Sequence, residues 1–570
     1  MENTKRHVYL AYFIAILSFV LSIFYASWGL PGLWHPDEMD IVETSLKMAE
    51  KGSFNPHFFA YPSLHIYLIF FFNVLPVKFL SQFSYFESLV DFIGIAQDAS
   101  SQTYLLSRVM SAFMGATTVF IVYKIAVKIF DVKTGLFSAL FLAICAGFIN
   151  LSHFATVDIP LCFWGIASFY MFLRVLEKKS AVNIMLAGFI LGLATSTKYN
   201  AILMIIPLLA STLMGSTTSS GREVLTGFIK NSLLIILAVT TGFALGSPYA
   251  IIDFPAFIAE FIELNFYQGT YAGVTGSGFS RLSFIAHIIN LIDILGGFIF
   301  ALSAIGFFYM AFLAKTQKKS AIYLLLLTVL TIYFKMGSMT FHPPRYILPI
   351  VPFLVIGAGK LTVDLFLLKK PKIFNLILSA MFALGVIYTL TISILGILQI
   401  KNDDRNLAFD WITKQVKATE SVEMTPIYGI NIPPNYHQFK TMPAYHQKET
   451  FERMFYNKEY QKIKTILPWA NWSEMTQVTI QPEPENVSLA SLLERKPAYL
   501  ILSERWFQRF LNTDVKADKF FPKQHQLYTA LLNEETPYKI MVDFRKPKKL
   551  PLTPKWDFIN SGIVILAYQR

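Results

Sequence analysis

Long apolar runs separated by short polar breaks fill the first 400 residues of the chain. A helix rises about 1.5 Å per residue, so about 20 apolar residues cross the roughly 30 Å hydrocarbon core of a bilayer. Such runs lie at roughly 8–30, 105–127, 135–151, 159–176 and 182–197; others end near 214, 247, 314, 336 and 369, and the last covers roughly 374–399. Together they predict about eleven transmembrane helices. A further apolar stretch, 61–80, is also long enough to span. Counting it would invert every later assignment against the charge pattern, and Pro62, Pro76 and Lys78 suit an interfacial or re-entrant segment, so it is left out.

Two regions have a different period. Ile41, Val42, Leu46, Met48 and Ala49 recur at helical spacing opposite Asp40, Glu43, Lys47 and Glu50, which predicts a helix lying along the membrane surface. From about residue 400, opened by Asp403, Asp404 and Arg405, the chain turns polar. Residues 405–417 read as helix and 497–503, 538–544 and 562–568 as strands, so a small α/β domain is expected there. The expected fold class is a polytopic α-helical membrane protein with a C-terminal soluble α/β domain. Residues 1–400 form its membrane part, with long loops at 31–103 and 248–283, and residues 401–570 the soluble part.

Composition supports this division. The 570 residues are 54% hydrophobic and 15% charged, with 53 Phe, which excludes the ordinary soluble classes. The net charge of +12 need not mean nucleic acid, because the basic residues fall in clusters between apolar runs. Lys5 and Arg6, Lys124, Lys128 and Lys133, Arg174, Lys178 and Lys179, Lys315, Lys318 and Lys319, and Lys369, Lys370 and Lys372 mark the cytoplasmic side under the positive-inside rule. The N-terminus is then cytoplasmic, and the first run, lacking a small-residue cleavage site, is a retained helix of a multi-pass protein of the cell (inner) membrane. The α/β domain falls on the extracytoplasmic side. Cys145 and Cys162, the only cysteines, sit in apolar runs and offer no disulfide framework.

The same parity places Asp37–Glu38, His153–Asp158, Lys198 and Arg345 at helix ends on one face, the non-cytoplasmic one. Adjacent carboxylates at a membrane boundary are costly unless solvated, paired or used. Asp37 and Glu38 follow Pro36, so they read either as first-turn acids of a helix or as a catalytic base and its neighbour. Asp158 can cap a helix or position an acceptor, and Lys198 and Arg345 can lie in the headgroup region or hold a phosphate. Tyr346 reads as an interface aromatic. His153 and His342 could bind a divalent metal with an acid, or be hydrogen-bonded interfacial histidines. Gly269, Gly273, Gly276 and Gly278 suggest either a mobile lid or a plain connection, and Arg545–Lys549 a lipid contact or a solvated surface. The C-terminal region carries no nucleophile elbow, P-loop or zinc spacing; its sequons at Asn471 and Asn486 are short enough to arise by chance.

Taken in order, an acidic pair after the first span, Phe154-Ala155-Thr156-Val157-Asp158 after the third, Thr197-Lys198 after the fifth, and Pro344-Arg345-Tyr346-Ile347-Leu348-Pro349 before a late span resemble the GT-C membrane glycosyltransferases. The nearest branch is that of the protein O-mannosyltransferases and lipid A aminoarabinose transferases, over roughly residues 8–400. The resemblance implies transfer of a sugar from a polyprenyl-phosphate carrier to a lipid, glycan or protein acceptor on the extracytoplasmic face. Asp37 matches the catalytic acidic position, Glu38 its neighbour, Asp158 the acid after the third span, and Lys198 and Arg345 the cations near the carrier phosphate, with Tyr346 in the same motif. The family's acidic-Lys-Pro-Pro segment is replaced here by Ala60-Tyr61-Pro62-Ser63, so carrier binding must lean on Lys198 and Arg345 or another base.

Glycosyl transfer from a lipid phosphate needs a base, cations for the leaving phosphate and a groove for the isoprenoid tail. Asp37 fits the base, Glu38 an orienting or acceptor-binding role, Asp158 an acceptor-positioning or base-tuning role, and Lys198 and Arg345 the cations. A lipid-linked sugar transporter and a non-catalytic envelope assembly protein are the competing readings. A transporter would place its charges near the midplane and often show internal repeats, neither of which is evident.

Overall fold

A computed structural model of the chain describes residues 2–30, 34–82, 99–214, 221–270, 283–339, 342–368, 371–425, 429–431, 438–442, 465–467, 488–511, 518, 521–545, 559 and 561–569. The membrane part runs α1 (Glu2–Ile23), α2 (Pro36–Lys51), α3 (Leu64–Leu80), α4 (Ala99–Ile129), α5 (Val132–Ala143), α6 (Ala146–Ser152), α7 (Asp158–Glu177), α8 (Ala181–Thr195) and α9 (Tyr199–Leu213). It continues with α10 (Gly221–Gly246), α11 (Phe254–Thr270), α12 (Ser283–Gln317), α13 (Ser320–Gly337), α14 (Pro344–Leu367) and α15 (Lys372–Lys401).

Every predicted apolar run is helical, but the count of eleven spans is not confirmed. Eight helices among the described residues are long and apolar enough to cross a membrane, and a ninth if α5 and α6, bent by 62°, form one broken span. The two remaining runs became α8 and α9, of 15 residues each when α9 is taken from its opening 3-10 turn, which is about 22 Å of helix. Hydropathy cannot separate a short apolar helix packed inside a bundle from a spanning one. The stretch 61–80 forms α3, a short apolar helix widened by a π turn at Phe70–Val74, and is not among the long spans.

Helix α2 forms where the amphipathic pattern predicts it. Pro36 stands in its first turn, Asp37 and Glu38 follow, and Gly52 closes it with a left-handed φ of 61°. Its apolar side meets protein: Ile41, Val42 and Met48 pack with Ile66, Ile69 and Phe70 of α3, and Ser45 Oγ donates to the Ile66 carbonyl at 3.0 Å.

Close helix approach depends on missing side chains. A Cβ added at Gly188, Gly192 or Gly242 would strike the backbone or Ala238 across the α8–α10 interface, and Gly306 of α12 is pressed against Gly357 of α14 in the same way. Large apolar side chains such as Phe13, Phe308 and Leu376 are exposed on the outside of the bundle, as a lipid-facing surface requires.

The C-terminal part opens with α16 (Asp404–Gln415), followed by β1 (Val422–Met424), β2 (Phe439–Thr441), α17 (Leu489–Arg495), β3 (Tyr499–Ser503), α18 (Glu504–Leu511), α19 (Pro522–Leu532), β4 (Tyr538–Asp543) and β5 (Ile563–Tyr568). The five strands make one mixed sheet in the order β2-β1-β3-β5-β4, with β2, β1 and β3 parallel and β5 antiparallel to both its neighbours. The three strands read from sequence are present. The two missed ones, β1 and β2, are three residues each, too short to show alternation. Asn471, Asn486, Gly273, Gly276, Gly278 and Lys546–Lys549 lie outside the described residues; Arg545 pairs with Asp543 at 2.7 Å.

The α8–α10 contact gives a direct check. Gly192→Ile would wedge the two backbones apart and lower stability by about 1–3 kcal/mol, the usual cost of overpacking. The readout is the unfolding midpoint in detergent, and an unchanged midpoint would show that the helices do not touch there.

Candidate active site

The site is built from helix ends. Asp37 lies in the first turn of α2, Asp158 begins α7, Lys198 lies in the turn between α8 and α9, and Arg345 and Tyr346 lie in the first turn of α14. Far apart in sequence, they meet as two ion pairs. Arg345 Nη2 is 3.0 Å from Asp37 Oδ2, and Lys198 Nζ is 2.7 Å from Asp158 Oδ1. The ring of Tyr346 stands between them, 5.0 Å from Lys198 Nζ and 5.9 Å from Arg345 Cζ, within reach of a cation–π attraction. Tyr61 completes the group. Burial, and then the Asp37 carboxylate, push its phenol well above its ordinary range, and Arg345, Tyr346 and Asp158 also act on it.

The two pairs differ in access. Asp158 is 3% exposed and Asp37 19%, so the first acid is enclosed while the second borders open space. The carboxylate of the Lys198–Asp158 pair is therefore shielded from solvent, while that of the Arg345–Asp37 pair is in part reached by it.

Glu38 points the other way from Asp37. It is fully buried and receives a side-on fork from Arg108 of α4, Nε to Oε1 at 2.8 Å and Nη2 to Oε2 at 2.7 Å, together with the Ala155 N–H at 2.7 Å. Burial alone would raise its pKa, but the Arg108 guanidinium beside it, with the hydrogen bonds it accepts, holds the carboxyl below its usual value. Its stabilising contribution is therefore present above the ordinary carboxylate range and is lost only as pH falls through the lowered value. Of the two roles expected for Glu38, contact with an acceptor is not what this geometry offers; orientation is.

His153 is the sequence candidate that the structure keeps apart. It is buried, with Nδ1 2.8 Å from the Ile149 carbonyl and Nε2 3.0 Å from the Phe24 carbonyl, and so braces α6 against the turn after α1. Its closeness to Asp158 in sequence does not survive the turn at 153–157. His342 packs edge-on to His287 at 6.1 Å between ring centroids. Among the described residues no group of three His, Cys, Asp or Glu side chains is placed to hold a metal ion.

Three residues of the site's frame escaped the sequence reading. Arg108 sits within the 105–127 run; a lone arginine in an apolar span was the available signal. Glu260 of α11 accepts the Phe59 and Ala60 N–H groups at 2.7 and 2.8 Å, and Tyr199 donates its hydroxyl to the Phe59 carbonyl at 2.7 Å. These bonds hold the segment that leads into Tyr61, and nothing local in the sequence announces them.

Next to the polar cluster lies a small apolar pocket of about 20 Å³, bordered by Leu161, Cys162, Met204, Ile332, Met336 and Phe353. Cys162 lies one helical turn from Asp158, so the apolar lining begins where the charges end.

Residues 98–251 match the sequence profile of the dolichyl-phosphate-mannose-protein mannosyltransferase family. No curated sequence matches the chain significantly. Among solved structures, the chain is similar to the oligosaccharyltransferase AglB from Archaeoglobus fulgidus, in complex with an inhibitory peptide and a dolichol-phosphate: TM-score 0.54, 12% identity, 99% of this chain and 89% of that one. It is also similar to ArnT from Cupriavidus metallidurans bound to undecaprenyl phosphate, with TM-score 0.50, 14% identity and 98% of each chain covered. The chain has the GT-C fold that these structures share. The expectation drawn from the ordered motifs is thus met for the fold, and the profile match over residues 98–251 is to a protein mannosyltransferase family. That match covers Asp158 and Lys198, while Asp37, Arg345 and Tyr346 lie beside them in space.

The Glu38–Arg108 pair carries a testable consequence. Arg108→Met would strand a buried carboxylate and cost about 3–5 kcal/mol, whereas Glu38→Leu combined with Arg108→Met should recover much of that loss. Thermal unfolding of the single and double variants in nanodiscs checks this. A single variant within 1 kcal/mol of wild type would show that the pair does not hold the site, since that is the range of exposed ion pairs.

Proposed function

We propose that this GT-C protein is a glycosyltransferase of the cell membrane that moves a sugar from a polyprenyl-phosphate carrier to an acceptor hydroxyl or amine on the extracytoplasmic face. The observation that carries the reading is the meeting of Asp37, Arg345, Tyr346, Lys198 and Asp158 beside apolar helix faces. A carboxylate base and two cations are what the chemistry needs, and they converge from separate helices.

In this reading the carrier phosphate lies between Arg345 and Lys198, with its isoprenoid tail along the neighbouring apolar helix faces. Arginine offers a planar fork and lysine a point charge, both suited to an anion that gains charge as it leaves. The incoming phosphate competes with Asp37 for Arg345. Asp37, released from its pair, accepts the proton of the acceptor as the acceptor atom bonds to the anomeric carbon and the carbon–oxygen bond to phosphate breaks. The products are glycosylated acceptor, polyprenyl phosphate and a protonated Asp37, which then returns its proton to solvent. A single displacement opposite the phosphate inverts the anomeric centre. Asp158 holds Lys198 in place, Tyr346 and Tyr61 wall the sugar, and Glu38 fixes the helix turn that presents Asp37. On this reading the N-terminus is cytoplasmic and the C-terminal sheet domain extracytoplasmic.

The test uses purified protein in lipid nanodiscs with a panel of polyprenyl-phosphate sugars and a crude acceptor extract, reading released polyprenyl phosphate. Asp37→Asn should lower turnover by about 10²–10⁴-fold, the worth of a positioned base, with donor binding retained. Arg345→Ala should cost about 10²–10³-fold, as for removal of a transition-state charge partner. Full turnover in Asp37→Asn would remove Asp37 from the chemistry. Retention of configuration in the product would overturn the single displacement.

A further inference from the structure

We propose that Arg405, in the C-terminal domain, is a positioning residue for Asp37: through it the sheet domain sets where the base stands. The proposal rests on the reading of Asp37 as base. Arg405 lies in the first turn of α16 and is fully buried. Its guanidinium takes Asp403 side-on, Nε to Oδ1 at 2.8 Å and Nη2 to Oδ2 at 2.8 Å. Asp403 Oδ2 also accepts the Trp28 indole N–H at 3.1 Å. The guanidinium carbon stands 4.2 Å from the centre of the Trp34 ring and 4.9 Å from that of Trp28, and the two indoles meet edge to face at 5.6 Å. Trp34 is followed by His35, Pro36 and Asp37, so the clamp closes three residues before the base. No flexible stretch intervenes: His35 is buried with its ring 4.5 Å from Phe154, and Pro36 already belongs to α2.

The other end of the clamp is anchored in the sheet. Asp404, next to Arg405, accepts the N–H groups of Ser561, Gly562 and Ile563, where β5 begins. A shift of β5 is thereby carried through Asp404 and Arg405 to Trp34. On the membrane side Arg108 donates to the Trp28 and Ala26 carbonyls at 2.7 and 2.6 Å while holding Glu38. The segment from Ala26 to Glu38 is thus gripped by one arginine from each domain. An apolar interface would join the domains without desolvating a guanidinium. A planar guanidinium locked by a carboxylate adds direction, because it decides the position and tilt of both indoles.

The experiment uses the full-length protein in nanodiscs and compares wild type, Arg405→Met and Arg405→Lys with the donor that the wild type turns over. Arg405→Met should lower kcat by about 10–100-fold, the effect of an ångström-scale misplacement of a catalytic group, with donor KM within about twofold of wild type. Arg405→Lys, which keeps the cation but loses the fork, should fall between. Hydrogen exchange should speed up across residues 24–38 and stay unchanged in α7 and α9, which carry Asp158 and continue from Lys198. An interface of purely structural value predicts a lower unfolding midpoint with kcat per folded molecule intact, and that result overturns the proposal. So does unchanged exchange across 24–38, or a uniform rise over the membrane helices. Should Arg405→Met fail to fold, Trp34→Phe, which keeps an aromatic face but alters its reach, is read by the same split of kcat from KM and the same exchange pattern. If wild type turns over no donor, the transferase reading fails, while the exchange pattern still decides whether Arg405 holds the segment.

Discussion

The buried Glu38–Arg108 pair is the constraint on which the site depends. It joins parts of the chain that are far apart in sequence: the first turn of α2, the body of α4, the carbonyls of Ala26 and Trp28, and the Ala155 N–H. Ala155 lies three residues before Asp158 and Glu38 lies next to Asp37, so this one carboxylate bears on the separation of the two acids of the cluster. Taking two charges out of water is costly, and a buried pair of this kind adds little net stability over an apolar substitute. Its worth lies in geometry. The fork has one good arrangement, and the Ala155 N–H takes the further lone pair of Oε1.

Charge balance in the site follows the same logic. Asp37 and Asp158 offset Arg345 and Lys198, so the cluster is close to neutral without a ligand and does not draw its own helices apart. The two pairs are not alike: solvent reaches Asp37, whereas Asp158 is enclosed with Lys198. Water therefore screens the Arg345–Asp37 pair more than the Lys198–Asp158 pair.

How much of this was legible depends on what the chain displays locally. Asp37, Asp158, Lys198 and Arg345 each stand at the end of an apolar run, and parity grouped them; the structure brings the four together as two ion pairs. Helical geometry explains what parity could not separate. Asp37 and Glu38 are neighbours in sequence, yet on a helix they point about 100° apart, so one can face a cavity only if the other faces the protein. Which of them does so was decided by Arg108, concealed in a run otherwise apolar. His153 shows the opposite failure: five residues from Asp158, it is carried away by a turn whose course is fixed by carbonyls of Ile149 and Phe24. The span count of eleven is not confirmed for a similar reason. Helices α8 and α9 are apolar but only 15 residues each, a length that hydropathy did not resolve.

The position of Trp28 and Trp34 brings these threads together. Both indoles lie on the stretch that Arg108 grips from the membrane side, and both face Arg405 from the sheet domain. Phe154, which touches Trp28 and His35, belongs to the turn that leads to Asp158. The aromatic cluster is therefore the common floor under both acids, and the two arginines are its walls. A displacement of the sheet domain would move the Asp37 side of this floor directly and the Asp158 side only through Phe154. Asp37 is thus the more adjustable of the two acids, which agrees with its greater exposure.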